Sequence, residues 1–153
     1  MDDLAARYAD RAVSSVFIYT REAHPGENAR HHLSMADKRD RARKFQADYN
    51  VRRTILLDDL DGTAHTAYGM LPNMTWIMGR GGLILYKAAW TEVADVEDAL
   101  RAALDAQGRR AKDGLMSVYT ERLAWRPNRD AEFRARLEEF GQQAVRDLFG
   151  DGN

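Results

Sequence analysis

The sequence of 153 residues contains no cysteine, only three prolines and no long apolar run. Without cysteine, the chain can form no disulfide, no thiolate metal site and no thiolate nucleophile of its own. Its apolar residues come in short groups, far below the roughly 18 consecutive residues that a membrane span requires. The 23 basic and 24 acidic residues nearly cancel, so binding to nucleic-acid phosphates has little electrostatic support.

The amino terminus, MDDLAARYADR, lacks the basic start and apolar centre of a secretory signal. We therefore expect a cytoplasmic protein with neither a membrane nor a nucleic acid as partner. The length fits one domain, and 44% hydrophobic residues are sufficient for a core.

Apolar periodicity predicts an alternation of helices and strands. Ser34, with Asp37 three residues later, predicts the start of a charged helix. Asp95 predicts the start of another, which Gly108 would end. Residues 115–119, LMSVY, are ambiguous between strand and helix. We expect the following elements: the end of a helix over Asp2–Ala12, strands at Val13–Thr20 and Arg53–Leu57, a hairpin of Thr75–Met78 and Leu83–Lys87 around GRGG, and a final helix over Phe133–Leu148 with Gly141 inside it.

The stretch FIYTREAHPGE, Phe17–Glu27, ends a strand at a carboxylate and an imidazole, Glu22 and His24. In parallel α/β sheets, ligands bind at the carboxyl ends of the strands. A purely structural interpretation is open as well, in which Glu22 pairs with an arginine and His24 precedes the turn fixed by Pro25 and Gly26.

Four segments in order carry a resemblance to a known family. They are FIYTREAHPGE, HHLSMADK, DDLDGTAHTAYGMLPNMTWIM and GGLILYKAAW. Together they resemble the bacterial relatives of the iodothyronine deiodinases, a thioredoxin-like redox family that includes selenoproteins and is close to the peroxiredoxins. The resemblance covers about Asp2–Leu104.

The resemblance implies a thioredoxin-like three-layer α/β sandwich with one mixed sheet. It places the first strand and the cysteine or selenocysteine nucleophile upstream of Met1, so we expect an N-terminally truncated thioredoxin-like domain over 1–108 and a C-terminal helical extension over 109–153. Either the sequence starts late or the protein is a shortened form. The central place would be filled by pairing Val16–Tyr19 with Thr75–Met78, by a strand from Leu115–Tyr119, or by a second copy.

The resemblance also implies four site residues near the nucleophile, namely Tyr19, Glu22, His24 and His32. A histidine with a pKa near neutrality can carry a proton to a leaving group, and a carboxylate can orient its ring.

Metal and phosphate sites have weaker support in the sequence. His31 and His32 are adjacent in a loop and lack helical ligand spacing. DDLDG departs from the calcium loop and fits ordinary turn chemistry, and GRGG lies between two strands rather than before a helix. We therefore expect no metal and no cofactor.

These observations leave three hypotheses for function. The first is a redox protein of the deiodinase-like family, which without its nucleophile is inactive in thiol or selenol chemistry, so that its standing as an enzyme is open. The second is a binding or scaffold module that a partner strand or a second subunit completes as a homodimer. The third is a metal-assisted hydrolase built from the histidines. The small-molecule substrate is not identified by the sequence.

Overall fold

A computed structural model describes residues 1–113, 119–123 and 130–150 of the chain. Within these ranges the protein is a mixed α/β structure with small sheets, which confirms the predicted class at that level. Two short 3₁₀ helices lie at Ala9–Arg11 and Arg80–Gly82. The helices are α1 (Asp2–Arg7), α2 (Met35–Asp48), α3 (Thr63–Ala67), α4 (Val93–Asp113), α5 (Asp130–Phe140) and α6 (Gln142–Phe149); the strands are β1 (Val16–Tyr19), β2 (Thr54–Leu57), β3 (Thr75–Met78), β4 (Ile84–Ala88) and β5 (Thr120–Arg122).

The chain forms two compact units. One contains α1 apart from Asp2, the strands β3, β4 and β5, and helix α4. The other contains β1, β2, α2 and α3 together with the C-terminal helices α5 and α6. The boundary predicted at residue 108 falls inside α4, and the division into 1–108 and 109–153 stays a prediction.

The strands form two sheets, whereas the sequence predicted a single mixed sheet. In the first sheet β1 runs parallel to β2, with Phe17 opposite Ile55 and Tyr19 opposite Leu57. In the second, β3 and β4 are antiparallel and β5 joins β4 in parallel. The prediction that β1 and β3 belong to one sheet is therefore wrong for the described strands, since β1 pairs only with β2 and β3 only with β4.

Three ways of filling the position of the missing central strand were predicted, and the structure bears on two of them. Direct pairing of Val16–Tyr19 with Thr75–Met78 does not occur. Residues 114–118 lie outside the described part of the chain, so the predicted strand at Leu115–Tyr119 falls mostly there. The neighbouring β5 pairs instead with the edge of β4 that is not occupied by β3.

Helix α2 begins where the sequence predicted. The Ser34 hydroxyl accepts a hydrogen bond from the Asp37 amide at 3.1 Å, and the Asp37 carboxylate accepts one from the Leu33 amide. The first bond satisfies one of the amides that an α-helix leaves unpaired at its start, and the second ties the residue before the cap to the first turn. The ring of Phe45 stacks on that of Phe17, with centroids 5.4 Å apart, and contacts that of Tyr19, with centroids 5.8 Å apart. These contacts fix α2 against β1.

The predicted hairpin is present. Gly81 and Gly82 have φ values of 74° and 80°, a region that glycine adopts without the steric penalty of a Cβ atom. The Gly79 amide donates to the Leu83 carbonyl at 2.7 Å and closes the connection between β3 and β4.

Helix α4 is longer than predicted. It starts at Val93, so that Asp95 lies in its first turn, and it continues past Gly108 to Asp113. Its apolar face carries Val96, Leu100 and Ala103, which are buried. The same unit also buries Leu4 of α1, Tyr8 directly after it, and Tyr86 and Ala88 of β4.

The predicted final helix is two helices. Gly141, with φ of 117°, cannot continue an α-helix and separates α5 from α6. Leu137, Ala144 and Val145 are buried between them, and Phe133 and Phe140 pack against this cluster.

None of the helices within the described ranges is both long and apolar enough to cross a membrane.

Candidate proton-transfer site

The candidate site lies at the carboxyl end of β1, where Tyr19 is the last residue of the strand. Tyr19 is held by the aromatic contact with Phe45 of α2. Its hydroxyl donates a hydrogen bond of 2.6 Å to Oε1 of Glu22. Burial, followed by this bond to the carboxylate, raises the pKa of Tyr19 far above its ordinary value. The tyrosine therefore stays protonated and acts as a fixed donor to Glu22.

His32 completes the cluster from the loop that precedes α2. Its side chain is only 4% exposed, and its Nε2 lies 3.8 Å from Oε1 of Glu22. The ring also contacts that of Tyr19, with centroids 5.5 Å apart. The structure therefore brings together three of the four predicted site residues, Tyr19, Glu22 and His32.

The ring nitrogens of His32 are buried, and within the described residues neither has a hydrogen-bond partner. The distance of 3.8 Å to Glu22 is too long for a hydrogen bond. A buried polar group without a partner is destabilising by about 1 to 3 kcal/mol. Such a group in a native structure has a reason for its retention, and acid–base chemistry is one.

The electrostatic surroundings of His32 keep the ring neutral. Burial lowers the pKa of His32 below its ordinary value of 6.5. Glu22 opposes this effect, whereas the positive charges of Lys38 and Arg41 reinforce it, and Asp37 opposes it more weakly. At pH 7 the imidazole can therefore accept a proton, and the carboxylate beside it stabilises the charge that results.

The fourth predicted residue, His24, has different surroundings. Its ring meets the edge of Phe133 in α5 at 5.4 Å. It also lines a cavity of about 150 Å³ with Ala144, Asp147 and Leu148 of α6. These surroundings tie the ring of His24 to the C-terminal helices.

The loop that carries His24 is fixed by the C-terminal helices. A Cβ atom on Gly26 would lie 2.4 Å from the Phe140 carbonyl oxygen, so only glycine fits there. The backbone N–H of Asn28 donates a hydrogen bond of 2.9 Å to that same Phe140 carbonyl. The Glu27 carboxylate accepts from the Gln143 amide at 3.0 Å, at the start of α6, where a negative charge is favourable.

Lys38 is a buried residue whose charge acts on His32, and the sequence did not predict this. Only 1% of the residue is exposed, and its Nζ donates to the Asp59 carbonyl at 3.0 Å. Burial lowers the pKa of Lys38, while Asp58 and Asp59 oppose this. In a helix with the sequence MADKRDRARK nothing distinguishes this lysine from its solvent-exposed neighbours.

Asp58 and Asp59 act as helix caps. Asp58 is buried and accepts hydrogen bonds from the amides of Ala64 and His65 at 2.8 and 2.9 Å. Asp59 accepts from the Thr63 amide at 2.9 Å. Within the described ranges, no group of three or more His, Asp or Glu side chains is placed to hold a metal ion.

The chain was compared with protein-family models, curated proteins and solved structures, and none of the three comparisons found a match.

Proposed function

We propose that this protein is a thioredoxin-like module of the deiodinase-related kind that handles protons for a thiol or selenol which it does not itself contain. The observation that carries the proposal is the buried imidazole of His32, which lies beside Glu22 and has no hydrogen-bond partner among the described residues. The chain has no cysteine, so the sulfur or selenium comes from another molecule or from a segment beyond these 153 residues. Alone, the chain is inactive in thiol or selenol redox chemistry.

The strand pairings agree with this assignment. A thioredoxin-like sheet without its central strand would consist of a parallel pair and an antiparallel hairpin. These are the pairings of β1 with β2 and of β3 with β4. The position of Glu22 and His32 beyond the end of β1 also agrees with the general rule that α/β sheets bind ligands at the carboxyl ends of their strands.

The proposed chemistry is a proton relay. A thiol gives its proton to the neutral ring of His32, and the thiolate attacks one oxygen of a peroxide. The O–O bond breaks, and the imidazolium returns the proton to the leaving oxygen. The products are a sulfenic acid and water or an alcohol, so the ring ends as it began. Glu22, 3.8 Å from Nε2, stabilises the imidazolium between the two transfers.

The test measures hydrogen peroxide consumption by a small thiol, 2-mercaptoethanol, with and without the protein. We expect the protein to accelerate the reaction by at least about tenfold, since positioned acid–base groups contribute this much or more. His32→Gln should abolish the acceleration, and Glu22→Gln should reduce it. His31→Gln changes the adjacent exposed histidine and should have no effect, and His24→Gln should behave in the same way. No acceleration by the wild-type chain, or equal loss in His31→Gln and His32→Gln, would refute the proposal.

A second candidate function is a non-catalytic binding module completed by a second copy of the chain. The observation that favours it is the composition of β1, VFIY, which has no charge, proline or bulge to protect an open edge. Light scattering over a range of concentrations tests it. Self-association that Val16→Lys abolishes is expected, because Val16 is exposed and a lysine on an edge strand opposes pairing. A monomer at every concentration excludes this candidate.

A further inference from the structure

Strand β5 is attached to β4 with little help from apolar packing. All three of its residues are exposed. The flanking Leu123 is 82% exposed, and Tyr119 on the other side is also exposed. The hydrophobic effect, which holds most strands in place, therefore contributes little to this attachment.

The backbone provides one part of the attachment. Tyr86, Lys87 and Ala88 lie opposite the three residues of β5 in parallel register. The Ala89 amide donates to the Arg122 carbonyl at 3.2 Å. Pairing of this kind accepts many sequences, since main-chain bonds give affinity and side chains give specificity.

Two ion pairs provide the other part. Lys87 Nζ lies 3.3 Å from Glu121 Oε1, and Asp95 Oδ1 lies 3.0 Å from Arg122 Nη1. Lys87 is also placed over the Trp76 ring, 5.1 Å from its centroid, which restrains the lysine. Two consecutive residues of β5 thus meet a cation from β4, Lys87, and an anion from the first turn of α4, Asp95.

Among the described residues, β5 covers only part of the outer edge of β4. The strand begins at Ile84, but β5 pairs only from Tyr86 onward. Ile84 is partly exposed. A longer strand in the same register could pair with residues 84 and 85 as well.

We propose that the outer edge of β4 is a docking site for an extended peptide in which an acidic residue directly precedes a basic one, and that β5 is its built-in occupant. The order of charges follows from Lys87 and Asp95, which face Glu121 and Arg122 in turn. A partner peptide with the same pair and additional residues toward Ile84 displaces β5. This inference is independent of the proposed proton relay.

The experiment uses the full chain and a fluorescent peptide, Tyr-Thr-Glu-Arg-Leu, which copies residues 119–123. A double variant, Glu121→Arg with Arg122→Glu, exchanges the two charges of β5 without changing composition or net charge. It places an arginine opposite Lys87 and a glutamate opposite Asp95. The two repulsions should detach β5 from the outer edge of β4. We expect the peptide to bind this variant at least about tenfold more tightly than the wild type, where β5 competes at high effective concentration.

A composition-matched peptide, Tyr-Thr-Arg-Glu-Leu, is the control and should bind neither chain. Hydrogen exchange at the Ala89 amide gives a second measurement that does not depend on peptide affinity. Exchange should be faster in the double variant, while circular dichroism stays unchanged, and the Tyr-Thr-Glu-Arg-Leu peptide should slow it again. Equal binding of the two peptides, equal binding to the two chains, or no binding to either chain would overturn the proposal.

Discussion

The hydroxyl of Tyr19 and the carboxylate of Glu22 share a hydrogen bond of 2.6 Å across the turn that follows β1. The tyrosine thereby determines where the carboxylate lies relative to the imidazole of His32. Removal of this single oxygen atom tests how firmly the site is organised.

Tyr19→Phe keeps the ring packed on Phe45 but removes the donor to Glu22. We expect the free energy of unfolding to fall by about 1 to 2 kcal/mol, because hydrogen bonds to charged groups are among the stronger ones. Urea denaturation measures this change. Tyr49→Phe is the matched control, since Tyr49 is 48% exposed and its hydroxyl accepts a long hydrogen bond of 3.5 Å from Arg136. Equal losses in the two variants would contradict a specific role for Tyr19.

The stability of the protein should depend on the protonation of His32. Because burial lowers the pKa of His32 in the folded state, the unfolded chain binds the proton more tightly. The stability due to the neutral ring is complete above pH 6.5, the ordinary value, and is lost as pH falls from there toward the lower folded-state pKa. Over that interval the slope for one proton approaches about 1.4 kcal/mol per pH unit.

Urea denaturation between pH 5 and pH 8, together with NMR titration of the ring protons, checks this dependence. The His32→Gln variant should lose the acid-dependent part of the slope, whereas His31→Gln should retain it. A His32 pKa above 6.5 in the folded protein would show that Glu22 outweighs burial, and the predicted slope would then have the opposite sign.

Lys38→Met retains most of the buried side-chain stem and removes the ammonium. The Asp59 carbonyl then loses the shorter of its two hydrogen bonds and keeps the one from the Gly62 amide at 3.4 Å. The nearby carboxylate of Asp58 loses a compensating charge. We expect destabilisation of about 1 to 3 kcal/mol and a rise in the pKa of His32, which Lys38 now lowers. Lys44→Met, on an exposed side chain of the same helix, should change neither quantity. An unaltered His32 titration in Lys38→Met would show that the two residues are not coupled.

Gly26→Ala tests the contact between the His24 loop and the C-terminal helices. The new methyl group would lie 2.4 Å from the Phe140 carbonyl oxygen, so the loop must move. We expect a loss of about 1 to 3 kcal/mol, as for other overpacked sites. Gly108→Ala, inside α4 with nothing within 4 Å of the added atom, should instead stabilise by about 0.5 to 1 kcal/mol. Thermal unfolding measures the change in stability of both variants. Two changes of the same sign, both stabilising or both destabilising, would contradict this reasoning.

Local signals in the sequence predicted the elements that depend on local chemistry. Ser34 and Asp37 predicted the start of α2 because a side-chain cap involves residues three apart. The glycines around residue 81 predicted the hairpin for a similar reason. The helix end predicted at Gly108 is wrong, since a helix can continue through a glycine when its flanking residues favour helix. Gly141, in contrast, ends α5 because its φ is positive.

Contacts between distant residues were not predictable in this way. Tyr19, Glu22 and His32 came from a resemblance, and their packing depends on Phe45 of α2. The neighbours of His24 lie more than a hundred residues away in sequence, and no periodicity links them to it. The burial of Lys38 depends on the β2–α3 connection, so a lysine in a charged helix gives no local sign of it.

The anchoring of residues 26–28 on the turn between α5 and α6 has a practical consequence for deletion experiments. A chain that ends before residue 130 would lack the groups that bind Glu27 and Asn28. It would also lack Phe133, the aromatic neighbour of His24. Loss of function in such a deletion would therefore report damage to the loop after β1. Point substitutions within 130–150 are the safer way to ask what the C-terminal helices contribute.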